Sequence, residues 1–290
     1  VIRLLTDEEW RVLRALEQCI IKKGSSNIYT ITKTADQPID RVEFALTKLN
    51  ERGIIKKKGS NYAMFTSGFD LLSLKHHVDH NDVSALGKII AKGKESDVYE
   101  VLSEKGECFA LKLFRLGRTS FRDVKRKRFS DRAELHNWIT RNYQAAKREF
   151  ESLGRLEGLT DSIPRAIASN RHTVLLEELR GIKLAERPEL INPASTLREV
   201  IMTVKKAYAN LGLINGDLSE YNILTDGKRA WLIDWPQCVG VNHPNASELL
   251  NRDISSILKF FRRVYGIYVE RKDALSYVNG ISRKLVIRRE

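Results

Sequence analysis

An Asp, an Asn five residues on and a second Asp twelve residues beyond it, each set against a short apolar run, constrain this chain more than any other feature. They lie in Asn215-Gly216-Asp217-Leu218-Ser219-Glu220-Tyr221-Asn222 and in Trp231-Leu232-Ile233-Asp234. The runs Ile223-Leu224 and Trp231-Leu232-Ile233 flank the turn Thr225-Asp226-Gly227-Lys228. That pattern predicts a hairpin placing Asn222 and Asp234 at neighbouring strand ends. Phosphoryl transfer from ATP calls for these residue types. One carboxylate orients the attacking hydroxyl or water, while an amide and a second carboxylate hold Mg²⁺, with Mn²⁺ as a substitute, on the phosphates. Asp217 is the candidate catalytic carboxylate, and Asn222 and Asp234 are the candidate metal ligands. The Asp217/Asn222 spacing alone also fits an ordinary surface loop; the strand-closing Asp234 and a lysine upstream favour the catalytic reading.

That lysine is Lys112, within the apolar strand Phe109-Ala110-Leu111-Lys112-Leu113-Phe114. A lysine turned inward needs compensating charge. ATP phosphates and a helix glutamate would supply it, and Glu149, on a helix expected around residues 133–155, is the first choice, with Glu151 second. Upstream, Ile89-Ile90-Ala91 and Val98-Tyr99-Glu100-Val101 read as strands around Lys92-Gly93-Lys94-Glu95-Ser96-Asp97. A phosphate-covering loop offers backbone N–H groups. With one glycine, Gly93, this loop is a weak signal by itself; Lys94, Ser96 and the strand residue Val98 are its candidate nucleotide contacts. Val174–Leu179 reads as a buried strand running into a hinge, with backbone groups of Glu177 and Leu179 facing the adenine edge. Leu197–Leu211 and Ser247–Tyr265 read as amphipathic helices.

The first eighty residues have a different rhythm. Asp7 is expected to cap a helix with Trp10, Leu13, Leu16 and Ile20 on one face, ending near Gly24. A short segment follows around Ile31–Ala35, then a helix from Asp40 to Gly53. Ile54–Lys58 and Tyr62–Phe65 around Gly59-Ser60-Asn61 read as a hairpin. This is the order of a winged helix-turn-helix. Its candidate nucleic-acid face is Arg41, Lys48, Arg52, Lys56, Lys57 and Lys58. Yet residues 1–80 hold 13 basic and 10 acidic groups, and the recognition helix carries Glu43 and Glu51. Sequence-specific DNA binding is therefore not expected; structured RNA or protein suits the surface better. Leu71–His77 reads as a connecting helix. His76, His77 and His80 fit a domain junction better than a metal site, having no fourth ligand nearby.

Residues 81–290 carry +10 of the formal charge of +13, and most of that excess lies in one segment: Arg115–Arg132 holds eight basic residues against Asp123 and Asp131. Arg118, Arg122, Lys125, Arg126, Lys127 and Arg128 offer contacts to an RNA backbone, and Ser120 and Ser130 offer sites for autophosphorylation; a solvated charge run is the plainer alternative. Cys19, Cys108 and Cys238 are isolated, so neither a zinc cluster nor a disulfide framework is expected, and a reducing cytoplasmic setting fits. With 42% hydrophobic and 30% charged residues, and no apolar run near the roughly 18 residues of a membrane span, no membrane partner is expected.

Taken together, Gly93-Lys94-Glu95-Ser96, Leu111-Lys112, the Asp217…Asn222 loop and Ile233-Asp234-Trp235-Pro236-Gln237 resemble the signatures of the RIO family of atypical serine/threonine protein kinases. The winged-helix head resembles that of its second subfamily. The resemblance spans essentially the whole chain. It implies an α+β fold: a winged helix over residues 1–80, then a compact bilobal kinase over 81–290, with lobes at about 81–176 and 182–290 and a hinge at about 177–181. It also implies Asp217 as catalytic Asp, Asn222 and Asp234 as metal ligands, ATP and Mg²⁺ as cofactors, and ATP-dependent maturation of the small ribosomal subunit, with its precursor or rRNA as partner.

Two departures stand out. Asn215 occupies a position where His is common, which bears on how Asp217 is held. Trp235-Pro236 after Asp234 replaces the aromatic-glycine of ordinary protein kinases and argues against a flipping activation switch. Only 56 residues follow Asp234, without an Ala-Pro-Glu segment, so ATP hydrolysis serving as a conformational timer competes with transfer to an external protein. An aminoglycoside-type small-molecule kinase and a non-catalytic, ATP-sensing nucleic-acid regulator are the other readings. The winged helix and basic segment oppose the first, and the set Lys112, Asp217, Asn222 and Asp234 opposes the second.

Overall fold

The computed structural model describes residues 5–23, 25–117 and 132–289. The chain divides into two compact units: residues 1–146 with 168–175, and residues 147–167 with 176–290. The basic segment from Arg118 to Ser130, with its candidate RNA and autophosphorylation residues, lies outside the described residues.

The first unit opens with α1 (Asp7–Lys23). Its cap is Thr6, not Asp7. The Thr6 hydroxyl accepts the Glu9 N–H at 3.2 Å, and the Glu9 carboxylate accepts the Thr6 N–H at 2.8 Å. This reciprocal Thr-x-x-Glu box satisfies two orphan donors, which the Asp7 side chain does not do; Asp7 becomes the first helical residue, where negative charge still suits the dipole. Strand β1 (Ser26–Asn27) leads into α2 (Ile28–Ala35), capped by Asn27 and three residues longer at its start than expected. After α3 (Ile39–Glu51), β2 (Ile55–Lys58) and β3 (Asn61–Met64) pair Ile55 with Met64 and Lys58 with Asn61. β1 joins the free side of β3, giving the order β1-β3-β2 of a winged helix. Arg41 pairs with Glu8, Lys48 with Glu51 and Arg52 with Glu9. Half of the candidate nucleic-acid face is thus engaged in intramolecular ion pairs.

The connecting helix α4 (Thr66–Asp79) is longer than the Leu71–His77 expectation. Its Phe69 enters the same core as Leu13, Leu16, Ile31, Leu46 and Leu49. A sheet follows from β4 (Ala85–Lys92), β5 (Ser96–Leu102) and β6 (Cys108–Phe114). Beyond α5 (Arg132–Leu156), β7 (Ala166–Asn170) and β8 (Thr173–Glu177) complete it in the order β4-β5-β6-β8-β7. The unit boundary passes through α5, β7 and β8. Buried polar groups knit head and sheet. Arg171, in the β7–β8 turn, grips Glu17 of α1 with two 2.6 Å bonds, and Tyr143 of α5 donates to the same carboxylate at 2.8 Å. His77 is a fully buried link, its ring lying 3.0 Å from the Thr173 hydroxyl and 3.2 Å from Asp82, while His80 bonds the His76 carbonyl.

The second unit begins with the end of α5 and includes β9 (Ile182–Lys183) and α6 (Pro193–Leu211). Asn192 caps α6 and Gly212, at φ +61°, ends it. Then come β10 (Leu213–Ile214), a 3₁₀ turn at Glu220–Asn222, β11 (Ile223–Thr225), β12 (Ala230–Leu232) and β13 (Val239–Gly240). Helix α7 (Ala246–Tyr265), β14 (Ile267–Tyr268), α8 (Arg271–Val278) and β15 (Arg288–Arg289) close the chain. α6 and α7 pack with Leu197, Val200, Ile201, Ile254, Ile257 and Phe261 fully buried. This apolar floor carries two small antiparallel sheets, β12-β11-β9 and β10-β13, whose ends frame the Asp217 loop. No helix among the described residues is long and apolar enough to cross a membrane.

Candidate functional site

In the second unit the predicted hairpin forms, with Ile223 opposite Leu232 and Thr225 opposite Ala230. The Ile233 N–H donates to the Asn222 carbonyl at 2.9 Å, so the chain reaches Asp234 directly beside Asn222. Asn222 turns its amide back on Asp217, donating to the backbone carbonyl at 2.9 Å and to the carboxylate at 3.4 Å. With its N–H₂ so directed, the Asn222 side-chain oxygen is the atom left to face a cation. Asp234 sits at φ +69°, a left-handed conformation a non-glycine residue keeps only where its surroundings impose it. An amide oxygen and one carboxylate make a sparse, hard donor set. It fits Mg²⁺, which takes one or two carboxylates and completes its shell with phosphate and water oxygens.

Asn215 joins the two halves of this assembly. Its side-chain oxygen accepts the Asp217 N–H at 3.1 Å, and its amide donates to the Asp234 carbonyl at 3.2 Å. The departure from His thus installs a donor and an acceptor that tie the candidate catalytic loop to the candidate metal loop. Behind them, the buried Asp253 of α7 accepts the N–H groups of Gly216 at 2.8 Å and Leu218 at 3.2 Å. Arg252 donates to the Gly216 carbonyl. Gly216 has φ +79°, and a Cβ there would lie 2.9 Å from the Gln237 carbonyl oxygen. Burial pushes the Asp253 carboxyl up to about 6, against the pull of its two backbone N–H donors. Burial and the neighbouring Asp234 also raise Asp217, against its bond from Asn222.

The end of α5 braces the other side of the candidate metal loop. Arg148 donates to the Pro236 carbonyl at 2.9 Å, and the Ser152 hydroxyl lies 2.8 Å from the Cys238 thiol. Between them, Glu149 is fully buried, whereas the second-choice Glu151 is exposed and paired with Lys147 at 3.7 Å. Glu177 gives its N–H to the Arg165 carbonyl at 2.9 Å. Of the hinge groups proposed to face adenine, the Glu177 contribution therefore narrows to its carbonyl. Leu179 lies just beyond β8, half-buried.

In the first unit Lys112 is 6% exposed, opposite Val98 across the β5–β6 pairing, with its ammonium 4.8 Å from the Phe114 ring centroid. The Gly93–Glu95 loop is tight: the Gly93 N–H donates to the Ser96 carbonyl at 2.8 Å. Lys94 is exposed at its tip, and Ser96 and Val98 already belong to β5.

Sequence reasoning missed Asp253 and the bridging by Asn215. A signal existed for the first. Leu250, Asp253, Ile254 and Ile257 follow the apolar spacing of one helix face, and a carboxylate on such a face must find donors.

Comparison with known proteins gives a consistent result. The family model of the RIO domain matches residues 97–274, and that of the Rio2 N-terminal domain matches residues 2–80. The RIO-type serine/threonine-protein kinase Rio2 of Methanocaldococcus jannaschii is 35% identical over 241 residues, which cover 80% of this chain and 88% of that protein. The serine/threonine-protein kinase rio2 of Dictyostelium discoideum is 30% identical over 275 residues, covering 93% of this chain but 52% of the relative, so the chain spans about half of that protein. A crystal structure of the Rio2 kinase from Chaetomium thermophilum, an ADP/Mg²⁺-phosphoaspartate complex, superposes with a TM-score of 0.83 at 30% identity, covering 97% of this chain and 92% of the other.

Proposed function

The chain belongs to the RIO family, with a Rio2 N-terminal domain ahead of its RIO domain, and from that premise we propose that it is an Mg²⁺·ATP-dependent serine/threonine protein kinase or ATPase acting on small ribosomal subunit precursors. The observation that carries the enzymatic part is the Asp217, Asn222 and Asp234 assembly, locked by Asn215 and Asp253. Asp217 orients the attacking group. Asn222 and Asp234 hold the cation, which when bound neutralises charge on the phosphates. Lys112 meets the phosphates and Glu149 is its proposed partner; each is a buried charge that needs compensation. Lys94, Ser96 and Val98 form the roof of the nucleotide site, and the Glu177 carbonyl with the Leu179 backbone meets the adenine.

The ribosomal part rests on charge and the winged helix. An excess of +13 suits an RNA-rich particle, and ion pairing on α3 disfavours a base-reading helix. Three free cysteines suit a cytoplasmic setting. The RNA and autophosphorylation roles of Arg118–Ser130 are part of this reading. A second reading, hydrolysis through an aspartyl phosphate on a site aspartate, Asp217 or Asp234, is favoured by the phosphoaspartate in the Chaetomium complex.

Phosphate release and Mg²⁺ titration test the proposal. Asp234→Ala should abolish metal-dependent turnover; full activity in that variant would remove Asp234 from the metal site. With γ-labelled ATP, a hydroxylamine-sensitive label on the chain, located at Asp217 or Asp234 by peptide mapping, supports the aspartyl phosphate, and label only on Ser or Thr supports protein phosphorylation.

A further inference from the structure

Behind the Gly93–Glu95 loop lies a buried ionic cluster that none of the roles above uses. Arg115 follows β6 directly. Its backbone N–H donates to the Glu95 carbonyl at 2.6 Å, so the end of β6 grips the loop. Its guanidinium Nε donates to Asp97 at 3.1 Å, and its two terminal nitrogens donate in parallel to both oxygens of Asp70, at 2.7 and 2.9 Å. His172 lies 2.8 Å from the same Asp70 carboxylate. Strand alternation puts Asp97, opposite Leu113, on the other face of the sheet from Lys112 and Val98. The loop is therefore held by contacts on the face of the sheet opposite Lys112 and Val98. Asp70 comes from α4 of the Rio2 N-terminal domain, whereas Asp97 and Arg115 come from the RIO domain.

We propose that Arg115 is a positioning residue through which the winged-helix head, by way of Asp70, holds the phosphate-binding loop in its nucleotide-ready shape. Planarity makes the guanidinium suitable: one rigid fork satisfies a bidentate carboxylate while its Nε reaches a second, which a lysine cannot reproduce. Removing Asp70 leaves a buried cation with half of its compensation and frees it to shift, carrying Asp97 and the loop with it. Head and loop then form one coupled element, so a change in the head alters nucleotide affinity with no residue of the head touching nucleotide.

The inference rests on the reading of Gly93–Glu95 as the phosphate loop, and the test separates the two. Mg·ADP affinity is measured by calorimetry on the full chain, alongside melting temperature, for Asp70→Asn and Arg115→Lys. Each variant should weaken Mg·ADP binding about 5- to 20-fold while still folded, raising KM for ATP more than it lowers kcat, because the Asp217 assembly is untouched. Ile31→Val, a loss of one methyl group in the head's core, lowers stability without touching the cluster and should leave ADP affinity unchanged. Unaltered ADP affinity in folded Asp70→Asn and Arg115→Lys would overturn the coupling and leave the nucleotide site standing. Equal weakening in Ile31→Val would overturn it too, by showing general loosening. Absence of Mg·ADP binding to the wild-type chain would instead remove the nucleotide reading itself.

Discussion

Asp253 and Gly216 are joined by a 2.8 Å hydrogen bond in which a carboxylate buried on α7 accepts the backbone N–H of the residue just before Asp217. Its other oxygen takes the Leu218 N–H, so one side chain holds the backbone on both sides of the candidate catalytic carboxylate. Asp217 is itself exposed, and its aim depends on this anchorage.

Asp253→Asn keeps the shape but replaces one acceptor oxygen with N–H₂, which cannot accept either N–H. One buried N–H is left unpaired, a cost of about 1–3 kcal/mol that offsets the desolvation relieved by removing the charge, so stability near pH 7 should change little. Misplacing Asp217 should lower kcat by about 10- to 100-fold, with Mg·ADP affinity nearly unchanged. Steady-state kinetics and calorimetry on one preparation check this. A weakened ADP affinity with normal kcat would assign Asp253 to nucleotide binding instead.

Asn215→Ala removes both the acceptor for the Asp217 N–H and the donor to the Asp234 carbonyl. Because it ties two loops, its loss should raise the Mg²⁺ concentration for half-maximal activity as well as lower kcat, by about 10-fold or more. Asn215→His would restore some kcat if one ring nitrogen reaches the Asp217 N–H. A Mg²⁺ titration that superposes on wild type would show that Asp234 is held without Asn215.

The Lys125-Arg126-Lys127-Arg128 run carries the RNA proposal. Each phosphate contact removed should lower the log–log salt slope of binding by about 1. Replacing all four with Ala should flatten the slope by several units for small-subunit particles while leaving RNA-free ATPase near its wild-type value. An unchanged slope would refute the RNA role, and a weakened ATP affinity would place the segment at the nucleotide instead.

The parts legible in the sequence were those fixed by local periodicity. The hairpin that aligns Asn222 with Asp234, the α6 and α7 stripes and the wing were readable because apolar spacing and turn residues act over a few positions. The inward Lys112 was readable because a charge in an apolar strand has few explanations. Partners far apart in sequence were not readable. Arg115 is 45 residues from Asp70 and 57 from His172, and in the chain it looks like the first charge of a basic run. The cap was missed for a different reason: Asp7 and Thr6 are both good caps, and the choice turns on Glu9 reaching back to the Thr6 N–H.

Asp253 also sets opposite pH dependences for stability and turnover. Its carboxyl is pushed from 3.8 up to about 6 by burial, so the folded chain holds this proton more tightly than the unfolded chain does. The protonated form favours folding; that contribution is complete below pH 3.8 and is lost as pH rises through about 6. The two-unit displacement corresponds to about 3 kcal/mol. Turnover should run the other way. Asp253 accepts both N–H groups best as the carboxylate, and Asp217, also raised by burial and Asp234, can fill its proposed role of orienting the nucleophile only when ionised. Between pH 4 and 7, kcat should therefore climb while Asp253 contributes a falling share of stability. Asp253→Asn removes that titration. Relative to the variant, wild type should lose about 3 kcal/mol across the window in denaturant unfolding. The acid limb remaining in the variant then belongs to Asp217. Parallel stability curves for the two proteins would show that Asp253 titrates alike in folded and unfolded chains and would leave the acid limb to Asp217 alone.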